Sequence, residues 1–173
     1  MEPLSFPRHT VAVRVTHWIT AVSFAALAVS GAAILVAHPR FYWGETGAVG
    51  GPSLFDLPVP FIFGPSGWGR SLHFLSAWVT VITGLVYLKA RGSFTIYDPV
   101  QRAAYILVVF ALYPLIIFSG LAMSPAITAA APWLVAAFTG HQSARTIHFL
   151  ATSFAVAFLL LHVTRVLMTG RRM

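Results

Sequence analysis

Four long apolar stretches constrain how this chain can fold more than any other feature. They cover residues 13–36, 72–88, 103–123 and 146–168. A helix needs roughly 20 residues to cross the ~30 Å hydrocarbon core of a bilayer. Only 9% of the residues are charged, whereas a soluble domain carries about 25%. We therefore predict an all-α membrane protein, a bundle of four transmembrane helices that forms a single integral-membrane domain over residues 1–173.

The lysines and arginines predict the orientation of these helices. If the N-terminus is inside, eight of the 11 basic residues lie on the inner side, and three lie on the outer side, Arg40, Arg70 and Arg145. Cytoplasmic loops carry the excess of positive charge. We therefore expect a multi-pass protein of the bacterial inner membrane with both termini in the cytoplasm. Because the basic residues stand at the ends of apolar runs, the net charge of +7 indicates contact with lipid and not with nucleic acid.

Two local signals add detail to the predicted helices. Pro114 lies inside the third apolar stretch and predicts a kink there, because proline cannot donate a helical hydrogen bond. The segment PWLVAAF, within residues 124–144, predicts a short helix at the outer surface. Residues 37–69 are expected to form a long outer loop.

Four histidines fall at two depths of the predicted bundle. His148 and His162 are fourteen residues apart in the fourth stretch, which is about 21 Å along a helix and nearly on one face. His17 lies at the inner end of the first stretch and His73 at the outer end of the second. Two imidazoles facing each other across a helical bundle can hold one iron. The pattern predicts two haem b groups in the core, ligated by His17 with His162 and by His73 with His148.

An arginine stands three residues from each of these histidines, in RVTH, RSLH, RTIH and HVTR. Residues three apart share a helix face, and the guanidinium group suits carboxylates. We therefore expect the four arginines to neutralise the four haem propionates; they are Arg14, Arg70, Arg145 and Arg165. A role as interfacial anchors fits Arg14 and Arg165 nearly as well.

Three glycines lie at depths where a porphyrin is expected. Gly31 follows His17 by fourteen residues, Gly84 follows His73 by eleven, and Gly120 in FSGLAM echoes Gly31 in VSGAAI. A missing side chain at these positions predicts space for a porphyrin next to the helix backbone. Close helix packing explains glycines in membrane helices equally well.

The histidine pattern resembles the bacterial di-haem cytochrome b family, also called prokaryotic cytochrome b561. This family includes the cytochrome b subunits of nickel–iron hydrogenase, formate dehydrogenase and thiosulfate reductase. RVTHW, RSLHF and the fourteen-residue histidine pair carry the resemblance. HPRFYWGETG (38–47) and YDPVQR (97–102) also resemble loops of members encoded beside molybdopterin oxidoreductases.

The resemblance implies electron transfer across the membrane between a periplasmic redox partner, for example a molybdopterin oxidoreductase, and the quinone pool. The four histidines would be the axial ligands. A bis-histidine haem has no open coordination position, so it transfers electrons and does not activate substrates. Each ligand imidazole is expected to be neutral and to donate its other N–H to a carbonyl or water.

Polar side chains near the inner haem indicate a candidate quinone site, although a connector between two helices has a similar composition. They are Tyr97, Gln101, Arg102 and Tyr105.

Other functions stay open at this point. A stand-alone superoxide or quinone oxidoreductase could use the same fold, and a haem-free membrane anchor for a soluble enzyme could share the topology. An electron-transfer subunit is favoured over either. A proton-coupled carrier is disfavoured, because no acidic residue lies deep in a predicted helix. The sequence leaves the oligomeric state open.

Overall fold

The computed structural model describes residues 10–45, 51–59, 67–90 and 99–170, with the backbone alone for residues 169 and 170. Within these ranges the chain forms seven α-helices, one π-helical segment and two short strands. In chain order they are α1 Val11–Ala37, β1 Arg40–Phe41, β2 Phe55–Asp56, α2 Gly67–Ala90, α3 Pro99–Leu107, the π-helical segment Val108–Leu112, α4 Tyr113–Ala122, α5 Pro125–Ala130, α6 Trp133–Ala137 and α7 His141–Gly170.

The four predicted membrane-spanning helices are confirmed. Four helical stretches of the described chain are long and apolar enough to cross a membrane, and they are Val11–Ala37, Gly67–Ala90, Pro99–Ala122 and His141–Met168. Most begin or end several residues outside the predicted bounds. Hydropathy marks only the part suited to hydrocarbon, whereas helical hydrogen bonding continues through polar interfacial residues such as Arg70 and Lys89.

The third membrane span changes its helical geometry before Pro114. Residues Val108–Leu112 form a π-helix, and the N–H of Tyr113 donates to the carbonyl of Val108, five residues earlier. Pro114 follows as one of the first residues of α4. The proline ring crowds the preceding turn, and proline has no N–H to donate. The kink predicted at Pro114 therefore occurs as a wider π turn.

The described residues belong to two compact units. The first unit comprises residues up to 39 together with 58–96, and the second comprises residues 40–57 together with those from 97 onward. In the first unit, α1 and α2 pack antiparallel, because Ser30 contacts His73 and Thr20 contacts Thr83. The single domain predicted over residues 1–173 stays a prediction.

The second unit packs the third span and α7 around a small core. Ala122, Leu134 and Ala144 are its buried centre, and these side chains allow close helix approach. The helix predicted within PWLVAAF is confirmed as α6. It ends with paired hydrogen bonds from Thr139 N–H to the Ala136 carbonyl and from Gly140 N–H to Val135, an arrangement that satisfies the last carbonyls of a helix.

Part of the predicted outer loop has regular structure in the second unit. β1 pairs antiparallel with β2, and Phe41 faces Phe55 in the register. The Phe41 ring is buried, with centroid distances of 4.7 Å to Phe55 and 4.5 Å to Phe149 of α7. The Thr146 hydroxyl also donates to the Tyr42 carbonyl, 2.8 Å away. Hydropathy did not predict this strand pair, because its stability comes from contacts with a helix about 100 residues later.

The residues after β1 cap the N-terminus of α7. The Gly44 carbonyl accepts from the N–H of Gln142 at 3.0 Å, and the Glu45 carboxylate accepts from the N–H of His141 at 3.1 Å. The first N–H groups of a helix have no partner within the helix, so this segment satisfies them from outside. A carboxylate there is also favoured by the helix dipole.

We expect Gly140→Ala to destabilise the second unit. Gly140 has φ +131°, and a Cβ at this position would lie 2.4 Å from the backbone of Gly44. The backbone strain alone costs about 1–3 kcal/mol, and the clash would separate the capping segment from α7. Thermal unfolding in detergent should show a lower midpoint for Gly140→Ala. Gly67→Ala is the matched control, because no described heavy atom lies within 4 Å of its added Cβ; equal midpoints for the two variants would contradict the expectation.

Candidate functional site

The imidazole of His73, near the start of α2, packs against Ser30 and Gly31 of α1. The Ser30 Oγ lies 3.1 Å from His73 Nδ1, and Ser30 is completely buried. A Cβ added to Gly31 would lie 3.6 Å from His73 Cε1. The backbone of Leu27 makes a further hydrogen bond with His73.

The same arrangement occurs around His148 in the second unit. The Oγ of Ser119, also completely buried, lies 3.1 Å from His148 Nδ1. The Ile116 carbonyl lies 2.9 Å from the same nitrogen. A Cβ added to Gly120 would lie 3.2 Å from His148 Cε1, so the ring occupies the space that the glycine leaves. We call each set of histidine, serine and glycine a serine–glycine cradle.

The hydrogen-bond network assigns one tautomer to both histidines. Each serine hydroxyl has a single proton, and it donates at 2.6 Å to a carbonyl four residues earlier, that of Ala26 or of Leu115. The serine oxygen must therefore accept from the imidazole. The Ile116 carbonyl can only accept as well, so the proton of His148 is on Nδ1. In the neutral ring the lone pair is then on Nε2.

The two cradles also repeat in sequence. Ser30 and Gly31 stand in VSGAAI, and Ser119 and Gly120 stand in FSGLAM. The histidines stand in RSLHFL and RTIHFL. The sequence analysis identified the histidines and glycines but missed the two serines. The serine that precedes the glycine in both segments was the signal that could have found them.

His162 of α7 has a different neighbour. The Tyr105 hydroxyl of α3 lies 3.3 Å from His162 Nδ1, and the Gln101 amide donates to the same hydroxyl at 2.9 Å. The structure therefore joins two residues of the predicted quinone site to a predicted haem ligand. Arg102 is exposed on α3, and Tyr97 lies outside the described residues.

His17 lies on α1 in the first unit and is exposed. Its ring makes an edge contact with the neighbouring Trp18, with centroids 5.9 Å apart. The proposed pairs of His17 with His162 and of His73 with His148 each combine histidines from different units. Because each unit is described by itself, both pairs stay predictions.

The predicted propionate partners differ in their surroundings. Arg145 is half-buried; its guanidinium donates to the Arg40 carbonyl and, at 3.3 Å, to Gln142 Oε1, and lies 5.1 Å from the centre of the Phe41 ring. These contacts hold the strand pair on α7, and a role toward propionates stays a prediction. The three other predicted partners are exposed on their helices; they are Arg14, Arg70 and Arg165. No described heavy atom lies within 4 Å of a Cβ added at Gly84.

The donors fit the iron of a haem. A neutral imidazole with its lone pair on Nε2 is the form that binds iron, and a second hydrogen bond from Nδ1 is typical of metal-bound histidine. His148 and His162 are fourteen residues apart on one helix, about 21 Å. In the first unit, His17 precedes Ser30, the partner of His73, by thirteen residues, about 20 Å along α1. Each unit therefore has one of the four predicted ligands near each end of its membrane spans.

Comparisons with known proteins identify the family of this chain. The family described as prokaryotic cytochrome b561 matches residues 8–173. A relative from Azospira oryzae, named "Putative protein-methionine-sulfoxide reductase subunit YedZ1", is 27% identical over 198 aligned positions, which cover 94% of this chain and 91% of the relative. No solved structure matches the chain significantly. The chain therefore belongs to the prokaryotic cytochrome b561 family, and it is an all-α, multi-pass protein of a bacterial membrane that transfers electrons across that membrane with b-type haem.

Proposed function

We propose that this protein binds two haem b groups and transfers electrons between a periplasmic redox partner and the quinone pool of the inner membrane. His73 and His148 would ligate the outer haem, and His17 and His162 the inner one. The observation that carries the proposal is the serine–glycine cradle, which occurs once in each unit and gives His73 and His148 the same tautomer.

The chain topology supports a shared haem for the two cradles. Successive membrane spans alternate in direction, so α1 and the third span run the same way. Ser30 and Ser119 both lie near the ends of these spans, which supports the proposal that both cradles lie on one side of the membrane. The distribution of lysine and arginine supports the outer side. Two imidazoles held alike at one depth are the donors that one bis-histidine iron needs.

The positions of His17 in the first unit and His162 in the second support the inner haem. His17 and His162 lie about 20 Å from the cradle of their own unit along the helix axis, which corresponds to the inner side. Two haems at these depths would pass electrons across the membrane without any protein movement. An arginine lies three residues from each proposed ligand, on the side nearer the water. We propose that these arginines contact the haem propionates.

The named relative supports a redox partner outside the membrane. Its title describes a subunit of a protein-methionine-sulfoxide reductase, and we propose a periplasmic oxidoreductase, for example a molybdopterin enzyme, as the partner of this chain. The strand pair packs on Phe149, the residue that follows His148 in the chain. A partner that contacts this surface would lie close to the outer haem ligand.

The Gln101–Tyr105–His162 hydrogen-bond chain supports a quinone site at the inner haem. A quinol needs a polar group that can accept or donate a proton near the haem that takes its electrons, and the Tyr105 hydroxyl can do both. Arg102 and Tyr97 would complete the site. A haem-free anchor is disfavoured by the family, and a stand-alone oxidoreductase is disfavoured by the relative's description as a subunit.

The haem pairing predicts a specific pattern of loss. We expect the purified protein to contain two haem b per chain by pyridine haemochrome assay. His73→Ala and His148→Ala should each remove the same haem, leaving about half, and the double variant should lose no more than either single one. His38→Ala, at the end of α1, is the control and should keep both. A double variant that loses all its haem would contradict the pairing.

The cradle glycines should differ in their sensitivity to substitution. An alanine methyl would lie 3.2 Å from the ring of His148 at Gly120 but 3.6 Å from the ring of His73 at Gly31. Gly120→Ala must shift the imidazole, whereas Gly31→Ala makes an ordinary contact, so Gly120→Ala should lower the outer haem content more. Haem content per chain measures this, with Gly67→Ala as control. A larger loss for Gly31→Ala would show that the rings lie elsewhere.

The quinone site predicts a selective defect for Tyr105→Phe. Without the hydroxyl, reduction of the haems by a quinol analogue should slow by about tenfold or more, since general acid–base groups contribute roughly 10²–10⁴-fold. Reduction by dithionite and the haem content should stay unchanged. Tyr113→Phe is the control, because Tyr113 lies in the same membrane span as Tyr105, at the start of α4. A normal quinol rate in Tyr105→Phe would place the quinone elsewhere.

A further inference from the structure

Two buried serines have more hydrogen bonds than helix packing requires. A serine in a membrane helix can satisfy its hydroxyl by donating to the carbonyl four residues earlier, and Ser30 and Ser119 both do so. Each of them also lies 3.1 Å from the Nδ1 of a histidine on another helix. Both are completely buried, at 0% exposure. The serine hydroxyl is already satisfied by the carbonyl, so its contact with histidine Nδ1 is explained by the position of the histidine.

The direction of these hydrogen bonds is the same in both cradles. Because the hydroxyl proton is directed to the carbonyl of Ala26 or Leu115, the serine oxygen accepts the Nδ1–H of the imidazole. A backbone group of the same helix turn, at Leu27 or Ile116, shares this proton. Each imidazole thus gives its N–H to two acceptors at once. In a low-dielectric interior such bonds are stronger than in water.

We propose that Ser30 and Ser119 are positioning residues that lower the reduction potential of the outer haem by accepting hydrogen bonds from both of its axial histidines. This inference rests on the proposed function for the haem and for the pairing of His73 with His148. An acceptor that draws the Nδ1 proton makes the imidazole a stronger electron donor at Nε2. A stronger donor favours the ferric over the ferrous state, so the potential falls.

At His162, the described neighbour of Nδ1 is a phenol and not a serine. Its Nδ1 contacts the hydroxyl of Tyr105, which already accepts from Gln101. A phenol can donate to the imidazole or accept from it, so it does not impose one tautomer. Ser30 and Ser119 contact His73 and His148, so we expect their effect at the haem that these two histidines are proposed to ligate.

Redox titration of single serine variants tests the inference. Ser30→Ala and Ser119→Ala should each raise the midpoint potential of the same haem, with the reduction equilibrium changing by up to about tenfold, or 59 mV for one electron. The low-spin ferric EPR signal of that haem should shift too. Ser30→Thr and Ser119→Thr keep the hydroxyl and should stay near the original values. Ser23→Ala, also buried and seven residues before Ser30 on α1, is the control.

The outcomes separate this inference from the proposed function. If both alanine variants keep two haems with unchanged potentials and EPR signals, the serines only satisfy their own helices and the inference is wrong. If the two variants shift different haems, the serines act as inferred on their own histidines, but the pairing of His73 with His148 fails. If the alanine variants lose haem, the threonine variants decide: restored haem with the original potential supports the inference, and restored haem with the alanine-like potential overturns it.

Discussion

The hydrogen bond from the N–H of a half-buried imidazole is the interaction on which the rest of this site depends. Inside a membrane no bulk water is available, so the protein itself must supply an acceptor. In both units a serine hydroxyl and a backbone group of one helix turn supply it, and a glycine beside the serine makes room for the ring. This arrangement sets the tautomer of His73 and His148. The lone pair is thus on Nε2, the nitrogen that would bind iron in the proposed function.

The N-terminal end of α7 gives the second unit its own support for His148. The strand pair packs its buried Phe41 ring on Phe149, the next residue after the histidine, and the residues after β1 cap the helix at Gln142. Arg145 joins the two parts through the Arg40 carbonyl. A helix end that is capped, packed and hydrogen-bonded on several sides moves little. The proposed ligand His148, about two turns into this helix, is therefore well supported and lies close to the surface that we propose for the redox partner.

The sequence predicted the membrane spans and the histidines because both are local patterns. A run of apolar residues identifies a span without any knowledge of its neighbours, and the three-residue spacing of arginine and histidine can be read directly from one helix. The sequence predicted a kink at Pro114 but not the π-helical turn before it. The geometry of this turn depends on which N–H groups the preceding carbonyls accept from. Residues 40–56 were expected to be a loop, since two-residue strands have no periodicity that a sequence can show. The serines were missed because a serine in an apolar helix normally bonds only to its own backbone.

By itself, therefore, the sequence determined the number of membrane-spanning helices and the family to which the chain belongs, and it predicted their direction and the kind of metal ligand. The length of an apolar run and the spacing of residues are properties of single segments, so they can be read from the sequence without knowledge of the tertiary structure. Only the tertiary structure decided which atoms surround each ligand. Ser30 and His73 are 43 residues apart, and Ser119 and His148 are 29 apart, so their contact depends on the rotation and depth of two packed helices. A tautomer is fixed by contacts of about 3 Å, and distances of that size exist only after the helices have packed.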